Sequence, residues 1–290
     1  MTTATAQRDL SPGEFAAFRE LVQRLTGIDH PDDRLALLSG RVRRRLRATG
    51  ERDYASYLAR VQRPDPGDAQ GGELQQLVDA VVTNETCFLR CARHWELVAA
   101  WATAQAQSPE VRRRGLRIWS AATSTGAEAF SVLIALEQAL GEGFGGLAVE
   151  VLGTDVSASA LAQARAGRYG ERALRGLPPD VRQRWFTPAG GGAEFQFAER
   201  LLPCARFELH NLMAPPPGRA FDLVLLRNVL IYFDRSAKAR ALRHACAALR
   251  PGGRLLIGEC ESLLDVEHGL VRLERSLYGK PDVGARCPRG

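Results

Sequence analysis

Lysine is nearly missing from this 290-residue chain: Lys238 and Lys280 are the only two among 39 basic residues. The rest is arginine spread along the whole length, so the net charge of +6 is compositional and not the mark of a polybasic tail. No run of about 18 apolar residues occurs, so no membrane-crossing helix is expected. Met1 to Asp9 is polar and lacks the apolar stretch of a secretory signal; the expectation is a cytoplasmic protein without membrane insertion. The cysteines (Cys87, Cys91, Cys204, Cys246, Cys260, Cys287) include no C-x-x-C pair. With no second ligand pair beside Cys87 and Cys91, reduced thiols are expected and a metal site is not. Also absent are G-x-G-x-x-G and G-x-x-x-x-G-K-[ST], the loops that cradle phosphates. Their absence disfavours a dinucleotide and leaves a nucleoside without phosphate as the better fit.

What is present is a core. Apolar residues make up 45% of the chain, enough for one large domain and one small. The stretch Ile118 to Ser131 organises the large one. Leu116, Ile118 and Ala121-Ala122 read as a buried strand. Ser124, Thr125 and Gly126 lack bulk, so a ligand can approach the backbone. Phe130, Leu133, Ile134 and Leu136 recur at helical spacing. This is the first strand–loop–helix of a doubly wound α/β sheet, whose ligands lie beyond the carboxyl ends of the strands. Glu128 reads equally as a helix N-terminal charge and as an acceptor for a ligand's amino group. Further strands are expected at 147–155, 207–209, 221–226 and 255–257, with a last segment at 270–278. Asp155, Asn211 and Arg227-Asn228 stand at successive strand ends. In nucleoside-binding sheets an acid at the place of Asp155 accepts from both ribose hydroxyls; alone it would be only a helix cap. Together these residues point to a site.

A small helical unit precedes the sheet. Ser11-Pro12-Gly13-Glu14 is a helix start. A second helix runs from about Arg34 to Thr49, with Leu35, Leu38, Val42 and Leu46 as its buried stripe and Arg41, Arg44 and Arg47 opposite. Tyr54–Val61 and Leu74–Val82 read as the third and fourth helices, with a loop at Pro64–Asp68 and Gly71-Gly72 between them. Ser108–Gly115 reads as a polar connection, and Phe195-Gln196-Phe197 as part of a small antiparallel insert at about 185–207.

Several strings resemble the CheR family of chemotaxis receptor methyltransferases: Thr83-Asn84-Glu85-Thr86-x-Phe88-x-Arg90, Trp119-Ser120-Ala121-Ala122-x-Ser124-Thr125-Gly126-x-Glu128, Gly153-Thr154-Asp155, Asn211-Leu212, Phe221-Asp222, Arg227-Asn228-Val229-x-Ile231-Tyr232-Phe233, Pro251-Gly252-Gly253 and Gly258-x-x-Glu261-Ser262-Leu263. The resemblance implies a helical receptor-recognition domain over 11–75 and a Rossmann-like methyltransferase domain over 76–290. It implies S-adenosylmethionine as methyl donor, S-adenosylhomocysteine as product and glutamate carboxylates of a chemoreceptor's cytoplasmic domain as acceptors. Carried across, Asn84, Thr86, Arg90, Glu128, Asp155, Asn211, Leu212, Arg227 and Asn228 line the cofactor pocket. Arg90 and Tyr232 lie nearest the transferred methyl, and Arg41, Arg44 and Arg47 face the acidic receptor helix. A glutamate is already ionised at neutral pH, so no general base is required and catalysis is by placement. A monomer that binds no nucleic acid is expected.

Two other readings share the sheet. A nucleic-acid methyltransferase would use the arginines on phosphate, but residues 1–90 hold 13 basic and 13 acidic residues and no aromatic string for base stacking. A cofactor-binding regulatory module without catalysis is permitted by Leu89, Cys91 and Ala127, where the family usually has Phe, an acid and Glu. The insert is also short around 190–196, which leaves binding of a receptor tether peptide open.

Overall fold

In the computed structural model, which describes residues 8–63, 72–218 and 220–282, a helical domain packs against the carboxyl ends of a seven-stranded sheet. The loop expected at Pro64–Asp68 and Gly71, the residues before Arg8, and Cys287 lie outside the described residues. The helical domain comprises α1 (Pro12–Thr26), α2 (Leu35–Thr49), α3 (Tyr54–Val61) and α4 (Glu73–Val81). Ser11 Oγ accepts from the Glu14 N–H and the Glu14 carboxylate accepts from the Ser11 N–H, so two orphan donors at the start of α1 are satisfied reciprocally. Phe18, Leu38, Val42, Leu46, Tyr54, Tyr57, Leu77 and Val81 close one apolar cluster. A division after residue 75 falls inside α4 and would part Leu77 and Val81 from that cluster; we propose the division after Val82.

Two helices lead into the sheet, α5 (Ala92–Ala106) and α6 (Pro109–Arg114). The expected connection at 108–115 winds as α6 because Ser108 Oγ accepts from the Val111 N–H and Pro109 takes the first helical position. There follow β1 (Leu116–Ala121), α7 (Ala127–Leu140), β2 (Val149–Asp155), α8 (Ala158–Ala166), β3 (Arg168–Gly170), α9 (Glu171–Leu174), α10 (Pro179–Trp185), β4 (Phe186–Ala189) and β5 (Glu194–Phe197). The chain ends with β6 (Ala205–Leu209), β7 (Phe221–Leu226), α11 (Arg235–Ala248), β8 (Leu249–Ile257), β9 (Val271–Arg272) and β10 (Leu277–Gly279).

The main sheet has the order β6-β2-β1-β7-β8-β10-β9, parallel from β6 to β8 and antiparallel at β10 and β9. The insert is a separate antiparallel sheet, β3-β5-β4. Its limits differ from those expected. β3 joins from upstream, and Ala205–Leu209 belongs to the main sheet because it pairs in parallel with β2.

Side chains of β1 alternate between two cores, Ile118 toward α7 and Trp119 and Ala121 toward α11. Helix α7 is buried at every position from Ala127 to Leu136, which is why its sequence is apolar all round. Strand order reverses between β1 and β7, and that switch point opens a crevice at their carboxyl ends. The helical domain is pinned over this crevice. Gln23 donates to Asp234 at 2.7 Å, Gln75 to the Val156 carbonyl at 2.9 Å, and the Asp29 N–H to the Tyr232 carbonyl at 2.8 Å. The Asp79 carboxylate caps α8 by accepting from the Ala158 and Ser159 N–H groups.

Candidate functional site

The turn after β1 forms the floor of the crevice. Ala122 (φ 64°) and Ser124 (φ 55°) adopt left-handed backbone, and Gly126 (φ 85°) starts α7. A Cβ at Gly126 would meet the Ala164 Cβ at 2.7 Å, so glycine is required for α7 to begin against α8. Leu89 (φ 50°), Cys91 (φ 66°) and Asn228 (φ 58°) are left-handed as well. Among the described non-glycine residues only Ala220 shares this conformation without belonging to the segments around the crevice. Such backbone costs about 1–3 kcal/mol per residue and collects where a site holds it in place.

A cavity of about 260 Å³ lies between the two domains, lined from the sheet side by Asp155, Glu128, Arg227, Asn228 and Tyr232 and from the crossing segment by Asn84, Thr86 and Arg90. Asp155 is buried at the end of β2; its Oδ2 accepts from the Ser124 N–H at 2.8 Å and its Oδ1 from the Ser157 N–H at 2.9 Å. Burial pushes its carboxyl above the usual range, with those two backbone donors pulling the other way. Each oxygen keeps a lone pair directed elsewhere, so the group remains able to accept from a diol.

Glu128 enters from the first turn of α7. Its Oε1 accepts from Ser120 Oγ at 2.7 Å and its Oε2 from Arg227 Nη1 at 3.0 Å. Burial raises its pKa, opposed by Arg227 and Ser120. Arg227 is itself buried; its Nε donates to His94 Nδ1 at 2.9 Å and its Nη2 to the Arg90 carbonyl at 2.7 Å. Asn228 is held by Glu261, whose Oε2 accepts from the Asn228 and Gly258 N–H groups and whose Oε1 accepts from the Leu230 N–H. A Cβ at Gly258 would meet Glu261 Oε2 at 2.7 Å, which accounts for the glycine. Asn84 donates to Ser157 Oγ at 3.0 Å, and its carbonyl accepts from Ser124 Oγ at 2.9 Å.

Other expected residues lie elsewhere. Asn211 does not reach the cavity: its Nδ2 donates to the Leu25 carbonyl at 2.7 Å, and its Oδ1 accepts from the Met213 N–H two residues on. It ties α1 to the sheet. Leu212 lines a smaller apolar pocket that adjoins the cavity through Asp155, Ala122 and Val156. The basic face of α2 divides in two. Arg41 does not project from the exposed side; it lines the cavity and donates to the Val81 carbonyl and to Thr83 Oγ1. Arg44 and Arg47 are exposed outside the cavity, while Arg45 pairs with Glu73 at 2.6 Å. Cys87 and Cys91 share no helix face, since Cys91 caps α5 and Cys87 lies in the segment before it.

Sequence reasoning passed over four groups. Ser120 and Glu261 stand inside the quoted strings without a role. His30 lines the cavity from the loop after α1. His94 lies four residues beyond Arg90, and its partner Arg227 is 133 positions away, which no local pattern reveals.

Burial and the neighbouring Arg227 push the His94 imidazole down to about 4, with Glu259 opposing, from an ordinary value of 6.5. Below pH 6.5 the unfolded chain takes up a proton that the folded chain refuses. The contribution of His94 is therefore complete above 6.5 and is lost as pH falls toward 4. At pH 5 the loss amounts to about 2 kcal/mol. Urea unfolding at pH 8 and pH 5 measures it, and His94→Asn should show a correspondingly smaller difference. Equal differences in the two proteins would remove His94 from the account.

Comparison with known proteins places this arrangement. A family model described as the CheR methyltransferase SAM binding domain matches residues 84–276, and one described as the CheR all-alpha domain matches 13–82. Chemotaxis protein methyltransferase 2 of Pseudomonas aeruginosa is 33% identical over 91% of this chain and 92% of its own length. The Escherichia coli chemotaxis protein methyltransferase is 31% identical over 94% of this chain and 93% of its own. A probable biofilm formation methyltransferase of P. aeruginosa is 33% identical over 87% of this chain and 58% of its own. Among solved structures, an O-methyltransferase family protein from Burkholderia thailandensis is similar with a TM-score of 0.36 at 15% identity, covering 75% of this chain and 62% of that one.

Proposed function

Because the chain belongs to the CheR methyltransferase family, we propose that it transfers a methyl group from S-adenosylmethionine to glutamate side chains in the cytoplasmic segment of a chemoreceptor. The observation that carries the reading is the meeting, around one cavity, of a buried strand-end acid, a buried Glu128–Arg227 pair and the side chains of Tyr232 and Arg90 in its lining. Among the described residues no helix is long and apolar enough to cross a membrane, which fits work on a receptor segment in the cytoplasm.

The residues fit the cofactor. Asp155 has the buried position and the spare lone pairs to accept from a ribose diol. The bulk-free turn at Ala122–Gly126 lets the ligand lie against backbone. Glu128 offers a carboxylate to an amino group. Bound there, the cofactor supplies an electrophilic methyl on a sulfonium. What the chain must do is place a glutamate oxygen in line with that methyl, so that a C–O bond forms as the C–S bond breaks. In our reading Arg90 holds the carboxylate by a charge-assisted hydrogen bond and Tyr232 sets its angle. No proton has to move, since the carboxylate is already ionised.

The test is transfer of labelled methyl to a panel of receptor cytoplasmic fragments, scored as base-labile ester. Transfer to RNA, or binding of S-adenosylhomocysteine with no transfer to any fragment, would overturn the assignment. Asp155→Ala is expected to weaken S-adenosylhomocysteine by about 1–3 kcal/mol in calorimetry, because ribose hydroxyls would be buried unpaired. Unchanged affinity would take the diol away from Asp155.

We further propose that α2 reads the acidic receptor segment in two ways. Arg44→Glu with Arg47→Glu should reduce methylation mainly at low salt, since exposed charges are screened over about 10 Å at 0.1 M. Arg41→Glu should reduce it at every salt concentration, because this side chain lines the cavity. Identical salt profiles for the two variants would erase the distinction.

A further inference from the structure

The geometry points to His94 as a positioning residue: by accepting from Arg227 it aims that guanidinium at both Glu128 and the backbone of Arg90, and so sets the two walls between which the methyl donor is held. The inference rests on the reading that Glu128 receives the cofactor's amino group.

The contacts leave Arg227 little freedom. Its three nitrogens each have a separate acceptor: His94 Nδ1 at 2.9 Å, Glu128 Oε2 at 3.0 Å and the Arg90 carbonyl at 2.7 Å. The guanidinium carbon lies 5.1 Å from the centre of the Trp95 ring, which covers one face. These acceptors come from α5, from α7 and from the crossing segment, so one side chain at the end of β7 ties three elements together. Of the three, the Nε bond decides the orientation. With Nε committed to the imidazole, rotation about the last side-chain bonds is blocked, and the two Nη groups can only face Glu128 and Arg90.

The imidazole is suited to that task by what it lacks. His94 is 1% exposed, and its Nε2 is buried without a partner. An unpaired buried polar atom is unfavourable, and an apolar ring of the same size would avoid it. The polar ring is accounted for by Nδ1, the one ring atom with a partner. Nδ1 accepts only when it carries no hydrogen, so the ring is neutral with its proton on Nε2. The charged groups facing it are Arg227, at the end of β7, and Glu259, in the segment after β8; the thiol of Cys91, at the start of α5, stands beside the same pair.

The Arg90 end of the chain of contacts is equally constrained. The Arg90 carbonyl accepts from Arg227 Nη2 and from Trp95 Nε1, and its neighbours Leu89 and Cys91 both hold left-handed backbone. Leu89 is pinned by its N–H to Ser131 Oγ at 2.9 Å. A peptide carbonyl with two buried donors between two strained residues is fixed, and the side chain that projects from it is aimed by that fixture. Loss of the His94 acceptor would free the guanidinium to turn, withdraw Nη1 from Glu128 and release one of the two donors on Arg90.

The experiment compares His94→Asn with His94→Leu in the full chain. Asn places its amide oxygen near the position of Nδ1 and keeps an acceptor; Leu keeps the volume and removes it. His94→Leu is expected to weaken S-adenosylhomocysteine about tenfold to a hundredfold in calorimetry, the size of a lost hydrogen bond to a charged group. His94→Asn is expected to stay within about threefold of wild type even where both variants lose equally in melting temperature. Equal affinity of a folded His94→Leu and wild type, or an Asn variant as impaired as Leu, overturns the proposal. Nitrogen-15 spectra of the wild-type imidazole decide it even if Leu fails to fold: Nε2 protonated with Nδ1 bare supports it, and Nδ1 protonated ends it. Glu128→Gln separates the two readings. If that variant binds like wild type, the assignment of Glu128 falls and the inference with it. If only Glu128→Gln is impaired, His94 alone loses its role. None of these measurements depends on the receptor.

Discussion

Replacing Arg227 by methionine is expected to remove about 3–5 kcal/mol of stability and to abolish cofactor binding in the same stroke. The residue is buried, and its ion pair with Glu128 has side-chain exposures of 3% and 11%. Methionine matches the length but leaves Glu128 with only Ser120 as a donor, and burial already opposes the charge on that carboxyl. It also leaves His94 Nδ1 and one lone pair of the Arg90 carbonyl without a donor. A surface salt bridge would be worth a fraction of this; the difference is the cost of stranding a charge away from water. Urea unfolding at neutral pH measures the loss, and the double variant Arg227→Met with Glu128→Gln should regain at least about 1 kcal/mol, because the stranded charge is then gone. A single-variant loss below about 1 kcal/mol would mean that water reaches Glu128, and the pair could not then be the rigid wall assigned to it.

The turn from Ala121 to Gly126, Asp155 and the Arg227-Asn228 step were legible because each is decided locally, by strand period, by missing bulk and by position at a strand end. Asn211 satisfied the same rule and did something else. Whether a strand-end amide faces the crevice or turns aside depends on the Leu25 carbonyl, 186 positions away, and on its own Met213 N–H. Arg41 shows the same limit. Helical spacing put it opposite the buried stripe correctly, but the space opposite is partly filled by the end of α4 and by Thr83, so a residue that looked solvated became a wall. The spacing of apolar residues gives the fourth helix nearly its true extent, yet a domain edge at residue 75 cuts through it, because only packing assigns Leu77 and Val81 to the helical cluster.

Arg90→Ala is expected to cut methyl transfer to a receptor fragment by about a hundredfold while changing stability by less than about 0.5 kcal/mol. This residue divides its two jobs between backbone and side chain. Its carbonyl is locked by Arg227 and Trp95, and alanine keeps that carbonyl. Its side chain is exposed and makes no hydrogen bond to another of the described residues, so truncation strands none of them. What is lost is a cation at the cavity wall where an anionic substrate must be held in line, and misplacement by about 1 Å is enough for a hundredfold effect. Tyr232→Phe removes only a hydroxyl of the same cavity lining, so it should lower kcat while leaving the affinity for S-adenosylhomocysteine within about twofold. Arg90→Ala should depress both kcat and cofactor affinity, since the side chain lines the same cavity as Asp155 and Glu128. Single-turnover rates with a receptor fragment, set beside calorimetry with S-adenosylhomocysteine, separate the two variants. An Arg90→Ala protein that transfers methyl at the wild-type rate would strip the guanidinium of its role. Equal losses of stability in Arg90→Ala and Arg227→Met would contradict the division between backbone and side chain on which that role depends.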